Sequence, residues 1–187
     1  VSDRPQVGLL QACDESRLFA VKLHPKQREL LAMLEHAPNA VWACGRRGGK
    51  TMLCSIVCLY DCLFRQDLDD LVRPGEVRYS VAVATNVEQA RVLIRSAKLI
   101  VDGSRVLSRL LVSATADELL FDLGDGTRTG LRAFPCSSRG LRGYPISTAV
   151  MDEAAFFVTT DRGTLRRSKC SVRCSRRRRS SVRRGGC

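Results

Sequence analysis

Residues 40–51 read Ala40-Val41-Trp42-Ala43-Cys44-Gly45-Arg46-Arg47-Gly48-Gly49-Lys50-Thr51, and the reading of this stretch decides the fold. The first five residues are an apolar run of strand length. A glycine-rich turn follows, and it opens an amphipathic helix predicted to reach about residue 64, with Leu53, Ile56, Val57, Tyr60 and Leu63 on its core side. Strand, glycine turn and helix in that order make a cradle for phosphate. Gly48 and Gly49 let backbone N–H groups curl around oxygen atoms with no Cβ in the way. The helix adds the positive end of its dipole. Lys50 is placed to reach the β- and γ-phosphates of a nucleoside triphosphate, ATP above all, and the Thr51 hydroxyl to bind Mg²⁺. The usual loop starts on a glycine where this chain has Cys44, and its glycine comes one residue later, at Gly45. The loop is a variant whose physics is intact.

A second segment complements it. Thr148-Ala149-Val150-Met151 is the end of an apolar strand that runs into Asp152-Glu153-Ala154-Ala155-Phe156. An aspartate at a strand tip can hold magnesium through water, completing the site begun by Thr51. Glu153, next to it, can polarise an attacking water as general base. Two acids can also cap a helix, but their pairing with an upstream phosphate loop argues for chemistry.

Between these motifs the chain alternates. Residues 7–20 are weakly helical. Pro25 suits the first turn of a helix to about residue 36, with Leu30, Leu31 and Leu34 apolar, and Ala37-Pro38-Asn39 breaks it. Residues 67–76 read as a surface connection and residues 79–84 as a buried strand. Asn86 caps a helix over about 87–101 with Ala90, Val92, Leu93 and Ala97 inward, and a further helical piece covers about 104–111. Residues 118–134 read as a β-hairpin around Gly124-Asp125-Gly126, and 139–144 as a basic loop. The predicted class is α/β: a mainly parallel central sheet with helices on both faces and ligands beyond the carboxyl ends of the strands.

The 187 residues carry 31 basic and 19 acidic side chains, a formal charge of +12. Ten arginines, one lysine and no acid lie in residues 162–187, which leaves 20 basic against 19 acidic side chains in residues 1–161. The basic excess therefore belongs to the tail and not to the domain. Nothing approaches the roughly 20 uninterrupted apolar residues of a membrane span, and the N-terminus has no signal-peptide pattern, so a cytoplasmic protein without membrane partners is expected. Cys54, Cys58 and Cys62 repeat every four residues along the helix after the loop, where cysteine acts as a small buried hydrophobe. No CxxC pair occurs among the nine cysteines, which argues against a zinc site and for reduced thiols.

The arginine-rich loop at residues 45–51, Arg139-Gly140-Leu141-Arg142-Gly143 and the Asp152-Glu153-Ala154-Ala155-Phe156 strand end together resemble the ATPase domain of tailed-phage terminase large subunits. His24-Pro25-Lys26-Gln27 is similar to the glutamine motif that precedes the loop in that family, and the resemblance covers about residues 20–160. It implies a P-loop NTPase of the additional-strand, catalytic-glutamate type. It also implies an ATP-driven motor that packages double-stranded DNA into procapsids in a bacterial host. By the same resemblance the subunits form a homo-oligomeric ring that works with a portal and a small terminase subunit. Gln27 would read the adenine edge, and one of Arg46 or Arg47 would contact the γ-phosphate. Arg142 would serve as an arginine finger on the neighbouring subunit's ATP, with Arg139 as the alternative.

The chain departs from the family pattern after residue 161. Residues 1–161 read as an ATPase domain incomplete at its C-terminal end, and no nuclease domain is expected. Residues 162–187 form a basic Arg/Ser/Cys-rich tail, expected to be disordered because it is poor in apolar residues and carries one sign of charge. Its favoured reading is a stretch from a shifted reading frame, ahead of a nucleic-acid-binding arm and a solvated terminus. The competing functional readings are a superfamily-2 helicase-like ATPase fragment and a non-catalytic remnant that binds nucleotide or DNA.

Overall fold

The computed structural model describes residues 4–35, 37, 39–45, 47–73, 75–137 and 141–157, with the strand residues 160–161 and 164–165. Expectations that rest on Arg46, Arg139, Gly140 or the basic tail lie outside these residues. Helix α1 spans Leu9–Asp14 and α2 spans Pro25–Met33, three residues short of the expected end. Helix α3, Lys50–Phe64, forms where the periodicity put it, with Leu53, Ile56, Leu59 and Leu63 buried. A 3₁₀ helix, Gln66–Leu71, occupies part of the expected connection. Then follow β1 (Val77–Ala84), α4 (Val87–Asp102), α5 (Arg105–Leu110), β2 (Leu111–Ala114), β3 (Glu118–Asp122), β4 (Arg128–Pro135) and β5 (Ile146–Met151).

The five strands make one sheet in the order β2-β3-β4-β1-β5. β1 pairs parallel with β4 and β5, whereas β3 pairs antiparallel with β2 and β4, so four strands run one way and β3 the other. The expected hairpin is β3–β4. Asn86 caps α4 as read, its Oδ1 accepting from the Gln89 N–H at 2.9 Å, and Ser104 caps α5 in the same manner. Alternation along β1 sorts its side chains. Ala82 and Ala84 join the main core with Leu131 and Ala133 of β4, Leu119 and Phe121 of β3, and the buried faces of all five helices. The cysteine stripe belongs to that core. Burial pushes the Cys54 thiol up to about 11 and the Cys62 thiol up to about 12, so both stay protonated and behave as hydrophobes at neutral pH.

Three expectations are corrected, and one strand went unread. Helices were expected on both faces of the sheet, but among the described residues none covers the second face. Val81, Val83 and Phe134 pack there against Tyr79, with Cys136, Leu141 and Tyr144 from the segment between β4 and β5, and with Phe157 beyond β5. α3 and α4 instead pack against each other on the first face, where Ser55 Oγ of α3 donates to the Leu93 carbonyl at 3.2 Å. Residues 40–44 do not form a strand. Trp42 packs on the main core, but Val41 is 99% exposed, and no described strand pairs with this segment or with the free edge of β5. An apolar run becomes a strand only beside a partner, and here none lies within the described residues. Val92 is 43% exposed and not inward, because α4 turns a narrower stripe to the core. β2 went unread because three of its four residues are exposed and it exists only by pairing with β3.

Tyr79 shows how closely the second face is fitted. Its ring lies across Gly130 of the neighbouring β4, meets Tyr144 edge-on at 5.2 Å, and leaves no room for a Cβ at Gly130, which would stand 2.5 Å from Tyr79 Cε1. Gly130→Ala is expected to destabilise the fold by about 1–3 kcal/mol through this overlap. Urea denaturation should show the cost falling below about 1 kcal/mol when Tyr79 is also alanine, since the overlap is then gone. Outside the unit that ends at Phe157, β6 (Thr160–Asp161) and β7 (Thr164–Leu165) pair antiparallel with each other.

Candidate functional site

The start of α2 is built by a reciprocal cap. His24 Nδ1 accepts from the Lys26 N–H at 3.4 Å, and Gln27 Oε1 accepts from the His24 N–H at 2.9 Å, with Pro25 in the first turn. The other end of the Gln27 carboxamide leaves the helix: Nε2 donates to the Gly48 carbonyl at 3.2 Å. Residues of α2 and of the glycine-rich loop thus meet, and between them lies a cavity of about 460 Å³ lined by His24, Gln27, Leu30, Cys44, Gly45, Arg47 and Gly48.

The loop itself turns on two left-handed residues, Arg47 at φ +62° and Gly49 at φ +77°. Gly49 is the N-cap of α3, and its carbonyl accepts the first helical hydrogen bond from Leu53 at 3.0 Å. No side chain caps this end, so the first N–H groups of α3 keep their donor capacity and the helix dipole points out of it. Thr51 lies half-buried in that first turn.

Strand β5 brings the acidic pair to the same place. The Asp152 N–H donates to the Val83 carbonyl at 2.9 Å, a last rung of the β1–β5 ladder that fixes Asp152 at the carboxyl end of the sheet. Its Oδ1 stands 3.7 Å from Lys50 Nζ, both groups being partly exposed. Glu153 follows in a left-handed conformation, φ +55° and ψ +38°, and is exposed before the 3₁₀ turn Ala154–Phe156. A glutamate at positive φ is uncommon and strained.

Of the residues singled out from sequence, the structure groups Gln27, Gly45, Arg47, Gly48, Gly49, Lys50, Thr51 and Asp152 around one cavity and one helix end. Arg142 is exposed on the loop before β5, and among the described residues no hydrogen bond or ion pair joins it or the Glu153 carboxylate to the glycine-rich loop. Sequence reading missed His24 and Cys44 as lining residues. The signal for His24 was present: a polar residue before a first-turn proline, with glutamine three residues on, is the pattern of a capping box. Among the described residues no cluster of three or more His, Cys, Asp or Glu is placed to hold a metal. No described helix is long and apolar enough to cross a membrane.

No family model and no curated protein matches the chain. Solved structures do. The HK97 bacteriophage large terminase matches with a TM-score of 0.57 and 14% identity over 77% of this chain. A mutant of the Thermus phage P74-26 large-terminase ATPase domain matches with a TM-score of 0.55 and 18% identity over 74%. The chain has the fold of a phage large-terminase ATPase domain. It spans 30% and 56% of the length of those two structures. The terminase likeness, at identities this low, is one of fold. It agrees with the resemblance carried by the loop, the glycine-containing basic segment and the acidic strand end.

Proposed function

We propose that the chain is the ATPase motor domain of a phage or prophage terminase large subunit, hydrolysing ATP to drive double-stranded DNA into a procapsid. One observation supports this most. Lys50 and Asp152, a hundred residues apart in sequence, stand 3.7 Å from each other at the carboxyl end of the sheet, beside an uncapped helix N-terminus and a cavity large enough for a nucleoside. A solvated basic turn has no reason to meet a strand-end carboxylate there.

The residues divide the work on a P-loop plan. Backbone N–H groups of the loop and of the first turn of α3 hold phosphate oxygens. Lys50 is now neutralised by Asp152, and an incoming triphosphate would draw the ammonium to its β- and γ-oxygens. The Thr51 hydroxyl and the Asp152 carboxylate are the protein groups that would hold Mg²⁺, which would spread the charge of the phosphate oxygens and take its remaining ligands from phosphate and water. Glu153 accepts the proton of the attacking water. Arg46 or Arg47 of the loop would contact the γ-phosphate, and Arg142, exposed and without a described partner, is available to a neighbouring subunit's ATP. A ring of subunits, a portal, a small terminase subunit and a bacterial cytoplasm complete the proposal.

One feature favours the reading of a non-catalytic remnant: residues 40–44 lead into the loop without strand pairing. DNA-stimulated phosphate release by the purified chain separates the two. The motor reading expects ATP turnover that rises with duplex DNA and vanishes in Lys50→Ala. Nucleotide binding without turnover would leave the remnant, and absence of binding at millimolar ATP would sink every enzymatic reading.

A further inference from the structure

We propose that Gln27 is a positioning residue for the glycine-rich loop, so that a single carboxamide links the base end of the cavity to its phosphate end. This rests on the reading of the cavity as a nucleotide site and adds a role that base recognition alone does not require.

A glutamine amide has two N–H donors and an oxygen with two acceptor positions. In this chain one of each is committed. The oxygen accepts from the His24 N–H at 2.9 Å, and the nitrogen donates to the Gly48 carbonyl at 3.2 Å. These partners also fix which end is which. A flipped amide would set its nitrogen against the His24 N–H and its oxygen against the Gly48 carbonyl, two repulsive contacts in place of two hydrogen bonds. The approach is close: a Cβ at Gly49 would stand 2.6 Å from Gln27 Nε2, so a side chain there would push the amide off the Gly48 carbonyl.

Two consequences follow. The loop carries left-handed residues at Arg47 and Gly49, has among its described residues one internal backbone hydrogen bond, 3.4 Å from the Gly48 N–H to the Gly45 carbonyl, and gains from Gln27 a tether to a capped helix. Gly48 is thereby held from outside the loop, with its neighbouring N–H groups kept in the curl that phosphate needs. The tether also leaves one N–H and one acceptor position of Gln27 free, on a side chain that lines the cavity. An adenine can meet that pair with its N7 acceptor and N6 donor. Base contact and loop contact then coexist on one amide, and a bound base fixes the group that fixes Gly48.

The discriminating ligand has phosphates and no base. Inorganic tripolyphosphate with magnesium, titrated calorimetrically into the full chain, is expected to bind about two- to tenfold more weakly to Gln27→Ala and to Gln27→Met, the loss that one hydrogen bond carries. ATP should weaken at least as much. Gln27→Met keeps length and packing, so loss in both variants assigns the effect to the amide, while melting temperatures report any cost of the lost helix cap separately. Unchanged tripolyphosphate affinity beside weakened ATP would reduce Gln27 to a base reader and overturn the proposal. A parent chain that binds neither ligand would overturn the nucleotide site itself.

Discussion

Glu153→Gln is expected to leave ATP binding within about twofold of the parent and to lower hydrolysis by about 10²- to 10⁴-fold, the usual worth of a positioned general base. The amide keeps the shape and loses only the ability to take a proton. Asp152, held by its backbone bond to Val83 and lying beside Lys50, is untouched by the change, so binding and metal capture should persist. Lys50→Ala should show the opposite pattern, losing binding first. Phosphate release and equilibrium binding of a fluorescent ATP analogue measure the two effects apart, and turnover at the parent rate in Glu153→Gln would refute the assignment. The backbone supplies an independent check. Glu153 sits at φ +55°, a conformation that costs a non-glycine residue about 1–2 kcal/mol. Glu153→Gly is therefore expected to be at least as stable as the parent in denaturant while equally inactive. Inactivity without loss of stability in that variant is the result the general-base reading expects.

How much of this was legible depended on whether the deciding forces were local. α3 and α4 were read nearly to the residue, because an apolar stripe at helical spacing and a capping Asn86 are local facts. The β3–β4 hairpin was legible from its glycine turn, and the acidic pair from the strand before it. Residues 40–44 misled because strand character there depends on a neighbour, and apolar composition says nothing about whether one arrives. β2 was invisible for the reverse reason: Val112, Ser113 and Ala114 are exposed, and pairing with β3 alone makes them a strand. Coverage of the sheet was misjudged because alternation of elements does not say which side a helix takes. At the site, the residue types were legible but the tether from Gln27 to Gly48 was not, since it spans 21 positions and joins a side chain to a carbonyl.

Asp61→Ala is expected to destabilise the domain by about 3–5 kcal/mol, a large part of the 5–15 kcal/mol that holds an ordinary domain together. Asp61 and Arg78 are each 2% exposed. Arg78 Nη1 donates to Asp61 Oδ2 at 3.2 Å, and Nη2 donates to the carbonyls of Asp61 and Arg65 at 3.0 and 3.2 Å. Ser147 Oγ donates to the same carboxylate oxygen at 2.6 Å, and Ser80 Oγ also bonds to it. Removing the carboxylate strands the Ser80 and Ser147 hydroxyls and leaves the buried guanidinium with Asp69 alone, 3.2 Å from Nη2, as its counter-charge, which costs more than the pair contributes over apolar residues of equal size. Asp61→Leu combined with Arg78→Met should therefore recover most of the loss, and the shortfall from additivity in urea denaturation measures the coupling. A change below about 1 kcal/mol in Asp61→Ala would contradict the burial of the pair. The network also bears on the site. Asp61 lies on α3 eleven residues beyond Lys50, about 16 Å along the helix, while Arg78 belongs to β1 and Ser147 to β5, whose far end carries Asp152. One pin at the base of the sheet thus fixes the helix that presents Lys50 against the strand that presents Asp152. In Asp61→Ala, the fraction that remains folded should bind ATP more weakly than the parent. The Asp61→Leu/Arg78→Met double variant should regain stability before it regains that affinity, because packing restores the core without the directional bonds that set the two ends in register.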